Sequence, residues 1–422
     1  MTADSLSART RAHRMRRMSG RDPHERHRVA SPLELLFDLT FVIAFGVAAS
    51  EFSHALAAHH LGAGLAGFAF AAFAVCWAWI NFSWFASAYD TDDWVYRLST
   101  MLQMVGVLLL ALGIPPVFSS IADGRHVDNR VLVAGYVVMR IAMVGQWLRA
   151  ARHDPQRRLA CLTYAAAITI AQIGWVGVII AHTSVAVTFG LVAVMAAIEL
   201  AGPMVAEKRI GGTPWHAHHM AERYGLLTII ALGEGVVGAV ASLSAVVAEQ
   251  GWSITTVLVA VAGTGLTFGL WWVYFVVPFG DLLHAHRERS FSYGYLHIVV
   301  FGAIVATGAG LHTAAEYLDH RSQLSSAATV LAVAVPVGAY LGALFAVYLA
   351  VARTWDGLYA LLVCLAAAVL AGAVWLAAAG VPIGVCLVIV AVAPTAVVIG
   401  YELGGHRRTA AVLAEATTPT PR

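Results

Sequence analysis

Residues 32–51 read PLELLFDLTFVIAFGVAASE. A helix rises about 1.5 Å per residue, so twenty such residues cover about 30 Å, the depth of a bilayer's hydrocarbon core. The stretch is rich in Leu, Phe and Ala and does not alternate in polarity. It therefore reads as a spanning helix and not as a barrel strand. Immediately before it, the first 32 residues hold eight arginines: Arg9, Arg11, Arg14, Arg16, Arg17, Arg21, Arg26 and Arg28. No small-residue cleavage site follows the apolar run. The segment therefore reads as an uncleaved cytoplasmic tail, not a signal peptide.

The rest of the chain extends the pattern. Of 422 residues, 26 are Lys or Arg and 24 are Asp or Glu, which makes 12% charged against 59% hydrophobic. Mean hydropathy is +0.75. Ordinary soluble chains carry about 25% charge. This composition excludes a soluble enzyme, a disordered chain and a secreted disulfide scaffold, and the net charge of +2 gives no footprint for nucleic acid. Cys76, Cys161, Cys364 and Cys386 lie in apolar runs without CxxC spacing and read as small hydrophobes.

Twelve stretches are long enough to span: 33–56, 63–87, 98–119, 131–149, 158–181, 184–205, 224–247, 254–278, 293–314, 328–350, 357–379 and 382–403. The expected fold is an all-α, polytopic transmembrane helix bundle. With the N-terminus inside, 22 of the 26 cations fall in cytoplasmic segments. Arg125, Arg130 and Arg321 fall outside, and Arg140 lies within a span. That asymmetry predicts N-in, C-in topology. The partner is the lipid bilayer, with anionic headgroups available to the arginine-rich tail; the sequence carries no signal of oligomeric state.

Five motifs recur in order at an offset of roughly half the chain. Glu34-Leu-Leu-Phe-Asp-Leu-Thr echoes Glu222-Arg-Tyr-Gly-Leu-Leu-Thr. Trp77 and Trp79 match Trp271 and Trp272, and Glu199-Leu-Ala-Gly matches Glu402-Leu-Gly-Gly. The expectation is a parallel 6+6 repeat: a tail over 1–32, a first repeat over 33–205, a linker over 206–223, a second repeat over 224–403 and a tail over 404–422.

Charge inside a membrane is costly, roughly 2.5–3.5 kcal/mol at a helix centre, so the residues that bear it make a short list. Glu34 and Asp38 share a helix face. Glu34 and its counterpart Glu222 also fit the first turn of a helix, where the dipole favours an acid. Glu234 sits deep in its span between Gly233 and Gly235. Arg140, near mid-span, needs a carboxylate, and Glu199, Asp38 or Glu234 would serve. Arg223 and His297 complete the ion- or substrate-site candidates. No catalytic residue, metal site or cofactor is assigned. His216-Ala-His-His219 lacks companion ligands for zinc and reads as interfacial, as do His54, His182 and His312.

These residues resemble the bacterial low temperature requirement A (LtrA) family. Pro32-Leu-Glu-Leu-Leu-Phe-Asp-Leu-Thr-Phe-Val is similar to its opening ELFFDLVFV motif. Glu222-Arg-Tyr-Gly-Leu-Leu-Thr-Ile-Ile-Ala-Leu-Gly-Glu234 is similar to its ERxGLxxIIxLGE signature. Trp271-Trp-Val-Tyr274 and the helix of His297 also fit. Gly235 departs from the serine common in the family. The resemblance implies a multi-pass protein of the bacterial cytoplasmic membrane. The family name describes growth at low temperature, not a reaction. The repeat and the carboxylates at depth point to a transporter or channel for a proton, cation or small solute, linked to cold or membrane stress. Two alternatives are a membrane enzyme on a lipid or isoprenoid, using Glu34, Asp38, His216 and Glu222, and a non-catalytic scaffold or sensor. The missing catalytic motif weighs against an enzyme.

Overall fold

The structure, a computed structural model, describes residues 15–25 and 28–417, with some side chains omitted beyond residue 237 of one helix. Arg9, Arg11, Arg14, Arg26 and Arg422 lie outside the described residues. Every regular element among the described residues is helical: α1 (Pro32–Ala57), α2 (Leu61–Tyr89), α3 (Trp94–Leu112), α4 (Ile114–Asp123), α5 (Arg130–His153), α6 (Arg158–Ala181), α7 (Val185–Arg209), α8 (Ala217–Gln250), α9 (Ile254–Phe275), α10 (Phe279–Ala285), α11 (Ser290–Leu318), α12 (Ser326–Ala352), α13 (Gly357–Ala378), α14 (Ile383–Gly400) and α15 (His406–Thr417). Eleven helical segments among the described residues are long and apolar enough to cross a membrane. The expected count was twelve. The remaining expected span falls on α8, a continuous helix of 34 residues.

Local chemistry explains where helices begin. Ser31 and Glu34 form a reciprocal capping box on α1: the Glu34 carboxylate accepts from the Ser31 N–H at 2.7 Å, and Ser31 Oγ accepts from the Glu34 N–H at 3.3 Å. Asp93, Ser253, Ser325 and Asp356 cap α3, α9, α12 and α13 in the usual way. The expected third span is broken at Gly113. Pro115 and Pro116 follow at the start of α4, where their missing N–H groups cost least. Between α14 and α15 the chain widens into a π-helical turn over Tyr401–Gly405.

The chain divides into two compact units. The first holds residues up to Ala44 together with Trp77–Met220. Within it α3 packs on α5, α5 on α6 and α6 on α7. The α3–α5 contact is backbone to backbone at Gly106 and Gly135: a Cβ on either would come within 2.7 Å of the other's carbonyl oxygen. Small residues permit this approach, which in a membrane replaces the hydrophobic drive that lipid removes. Aromatic rings fill the core, with Phe37 on Phe82 at 3.8 Å and Trp147 stacked on Tyr164 at 4.1 Å.

The described part of the arginine-rich tail lies on the helix ends of this unit. Arg16 N–H donates to Asp93 Oδ2 at 2.9 Å and Arg17 Nε to the His153 carbonyl at 3.1 Å. Met18 is fully buried, Arg21 N–H donates to the Ala88 carbonyl, and buried Arg28 donates to the Ala86 carbonyl at 2.7 Å. Asp93 also binds Arg149. Burial works to raise the Asp93 carboxyl, but donors from Arg149, Tyr96 and Arg16 outweigh it and hold it at about 2.

The second unit holds Phe45–Cys76 and the chain from Ala221 onward. Within it α11 packs on α12, α9 on α14, and α13 on both α12 and α14. The Tyr340 hydroxyl donates to the Leu270 carbonyl at 2.7 Å and so ties α12 to α9.

Candidate functional site

The buried arginine of the first unit has a partner. Of the three carboxylates open to Arg140 from the sequence, it pairs with Glu199: Nη2 stands 3.1 Å from Oε2, and both side chains are almost wholly buried. Glu199 Oε2 also accepts from the Trp77 indole and from the Tyr136 hydroxyl at 2.7 Å. Its Oε1 accepts from Trp175 Nε1 at 2.9 Å and Gln172 Nε2 at 3.4 Å. Tyr136 closes the set by accepting from Arg140, whose guanidinium also lies over the Tyr136 ring, 4.4 Å from its centroid. Helix periodicity brings Tyr136 and Arg140 to one face of α5, four residues apart. Pro203 has no N–H to give the Glu199 carbonyl, so the ladder of α7 is interrupted at this residue. Five donors fill the carboxylate, which is the condition for keeping a buried ion pair.

Glu34 and Asp38 are also held. Asp38, fully buried, accepts from Trp79 Nε1 at 2.7 Å. Glu34 serves the α1 capping box, and its carboxylate lies 3.2 Å from His219 Nε2. His216 caps α8: Nδ1 accepts from the His219 N–H at 3.1 Å, which leaves Nε2–H to donate to the Glu25 carbonyl at 2.8 Å. Two of the histidines read as interfacial, His216 and His219, are therefore buried, while His218 is exposed. The reading of Glu222 as a helix-start acid needs correction, because α8 begins at Ala217 and Glu222 falls beyond the first turn. Near Glu34 lies Asp90, its side chain 7% exposed and Arg21 3.9 Å away. Burial, then the Glu34 carboxylate, push Asp90 up to about 6 against the pull of Arg28.

In the second unit Arg223 is fully buried and Glu222 partly so, both in the early turns of α8. His297 is fully buried among Tyr224, Tyr274, Phe279, Tyr293 and Phe301. Its Nδ1 faces the Tyr293 carbonyl at 2.7 Å, an acceptor only, so Nδ1 carries the proton. Nε2 then accepts from the Tyr274 hydroxyl at 3.1 Å. Both nitrogens are engaged and the ring is enclosed, which suits a neutral, structural histidine.

Glu234 differs from all of these. It stands at the midpoint of α8, half-buried, and its carboxylate lies over Gly46 of α1: a Cβ on Gly46 would sit 3.0 Å from both oxygens. One residue on, Gly235 meets α11, where a Cβ on Gly308 would sit 3.3 Å from the Gly235 Cα. Gly46 thus lets α1 lie against the carboxylate, and Gly308 lets α11 lie against the backbone of the same turn of α8. No hydrogen bond or ion pair to Glu234 is found among the described residues. The glycine at 235 leaves its own side open, with Thr267 Oγ1 the nearest atom at 3.8 Å from a Cβ there.

The structure therefore brings Arg140 to Glu199 and Glu34 to His219, and leaves Glu234 and His297 in separate surroundings. The indoles of Trp77 and Trp175, Tyr136, Gln172, His219 and Asp90 were not among the site candidates read from the sequence; Trp77 and Asp90 were read only as parts of the repeat and His219 as interfacial. Only Tyr136 had a readable signal, its four-residue spacing from Arg140. Among the described residues no group of three His, Cys, Asp or Glu side chains is placed to hold a metal ion.

Comparison with known proteins fits this arrangement of motifs. No solved structure matches the chain. An uncharacterized protein of Rhizobium meliloti (strain 1021) is 25% identical over 303 residues, covering 67% of this chain and 68% of that protein. The family model for the bacterial low temperature requirement A protein (LtrA) matches residues 29–394, which include both carboxylate-bearing motifs. The chain belongs to the LtrA family of multi-pass bacterial membrane proteins.

Proposed function

We propose that this protein moves a proton or a small cation across the bacterial cytoplasmic membrane, and that Glu234 is the group that takes up and releases the ion. The observation that carries this reading is the state of Glu234. A carboxylate filled by five donors has no place for an ion, whereas one at mid-helix without a donor among the described residues can bind and return one. A charge at that depth is costly and is kept in membrane proteins chiefly for such tasks. On this reading both termini face the cytoplasm, and residues 33–205 and 224–403 are the two six-span repeats. The family's link to low temperature fits a role in membrane stress.

Purified protein in liposomes, with imposed gradients of H⁺, K⁺ and Na⁺ in turn, tests the proposal. One of these ions should cross faster than in empty vesicles. Flux indistinguishable from empty vesicles for all three overturns it. That outcome would favour a second reading, a non-catalytic scaffold, whose support is the Arg140–Glu199 clamp.

A further inference from the structure

Resting on that reading, we infer that the ion is a proton and that Glu234 exchanges it with one membrane face through a relay of His312, Glu316 and His54 along α1 and α11. All of these residues belong to the second unit. Glu234 sits at the level of Gly46 on α1 and Gly308 on α11. One turn further along α11, about 6 Å, is His312, on the same face as Gly308. Its Nε2 is buried and has no hydrogen-bond partner among the described residues. His54 of α1 lies near enough to interact with it electrostatically. Another turn along α11 is Glu316, whose Oε1 lies 3.7 Å from His54 Nε2. The His54 side chain is 64% exposed, so the series ends at the surface.

The interface between these two helices is polar along the same stretch. Thr313 Oγ1 donates to Ser53 Oγ at 3.4 Å, and further out Gln323 N–H donates to the Ala57 carbonyl at 2.9 Å. Along these helices, the other described titratable groups between Glu234 and the surface are Glu51, partly buried on α1, Tyr317, partly buried on α11, and Asp319, held by Arg321. His59, His60 and His320 follow in the loops beyond. The face reached is the one at the C-terminal end of α1, which on the proposed topology is the outside.

Each step is a balanced proton transfer. The carboxyl O–H bond of Glu234 breaks as an N–H bond forms on His312 Nε2. The opposite ring nitrogen can release its proton onward to Glu316 or His54, and no electron pair leaves either group. A proton needs only such a chain of sites. A metal cation would need several oxygen ligands at once, and the neighbours on this path supply imidazoles and single carboxylates.

The test uses the full-length protein in liposomes, with a pH gradient imposed from the His54 side. His312→Ala should slow proton flux on the order of a hundredfold, the lower end for losing a positioned acid–base group. Imidazole added to that side should restore part of the flux. Rescue of this kind separates a relay from a packing role. Wild-type rates in His312→Ala, or slowed rates that imidazole leaves unchanged, overturn the relay while leaving Glu234 as the ion site. If His312→Ala no longer elutes as the wild type does, the His54→Gln, Glu316→Gln double variant is read instead, because these side chains reach the surface. It should be several-fold slower from that side, and unchanged flux overturns the relay. No proton flux in the wild type overturns the relay. If K⁺ or Na⁺ still crosses, the broader reading of Glu234 survives; if none crosses, both fall.

Discussion

Glu199 and Glu234 are both carboxylates within long apolar helices, and the molecule treats them in opposite ways. Around Glu199 of α7, in the first unit, two indoles, a phenol, an amide and a guanidinium converge from α2, α5 and α6, and the carboxylate is filled. Around Glu234, in the second unit, the neighbours are glycines that supply closeness and no donors. The cost of burying an acid is met in the first case by hydrogen bonds that fix it in place. In the second no donor is found among the described residues, which on the proposed reading is the condition for a group that must change state. On the proposed reading the same residue type acts as a structural clamp in one place and as a working site in the other.

The largest effect should come from breaking the clamp. Glu199→Gln leaves Arg140 buried without its counter-charge, and the expected loss is about 3–5 kcal/mol, read as a lowered melting temperature in detergent. A double-mutant cycle with Arg140→Gln should show strong coupling, since either change removes the same pair. A Glu199→Gln protein that melts with the wild type would show that the pair is not a clamp.

Next is the approach of α1 to Glu234. Gly46→Ala sets a methyl 3.0 Å from both carboxylate oxygens and forces the side chain aside. The expected stability cost is about 1 kcal/mol, the low end for overpacking, with a several-fold fall in ion flux. Unchanged flux would mean that the position of the Glu234 carboxylate does not matter.

The smallest effect concerns Asp90. Its carboxyl is raised in the folded protein from its ordinary 3.8 to about 6. The folded state therefore keeps a proton that the unfolded state gives up. Its contribution to stability is intact below the ordinary carboxyl range and is lost as pH rises from about 4 through about 6. Asp90→Asn should flatten this part of the melting-temperature profile. A variant with the same slope as wild type over that window would assign the pH dependence to another group.

Much of the fold was legible because a spanning helix needs only length and apolar composition, and both are local properties. The list of buried charges was legible for the same reason. Their partners were not. Glu199 is bonded by residues up to 122 positions away, and an indole reads as packing until its N–H is seen to have an acceptor. The start of α8 was missed because a histidine, His216, caps it where Ser, Thr, Asp or Asn would be sought. The tail was read from its arginines as a topology signal, and nothing periodic in residues 15–30 announces that Met18 is buried against the helix ends. His312 and His54 were read singly as interfacial residues. Their alignment with Glu316 depends on how α1 and α11 lie against each other.

The division of labour between the two carboxylates rests most directly on Glu234→Gln, measured for melting temperature and for proton flux on the same preparation in liposomes. Glutamine keeps the shape of the neutral acid and removes its proton exchange. The account predicts a melting temperature close to wild type and flux reduced to that of empty vesicles. Flux retained in Glu234→Gln, in protein that melts as the wild type does, would contradict it.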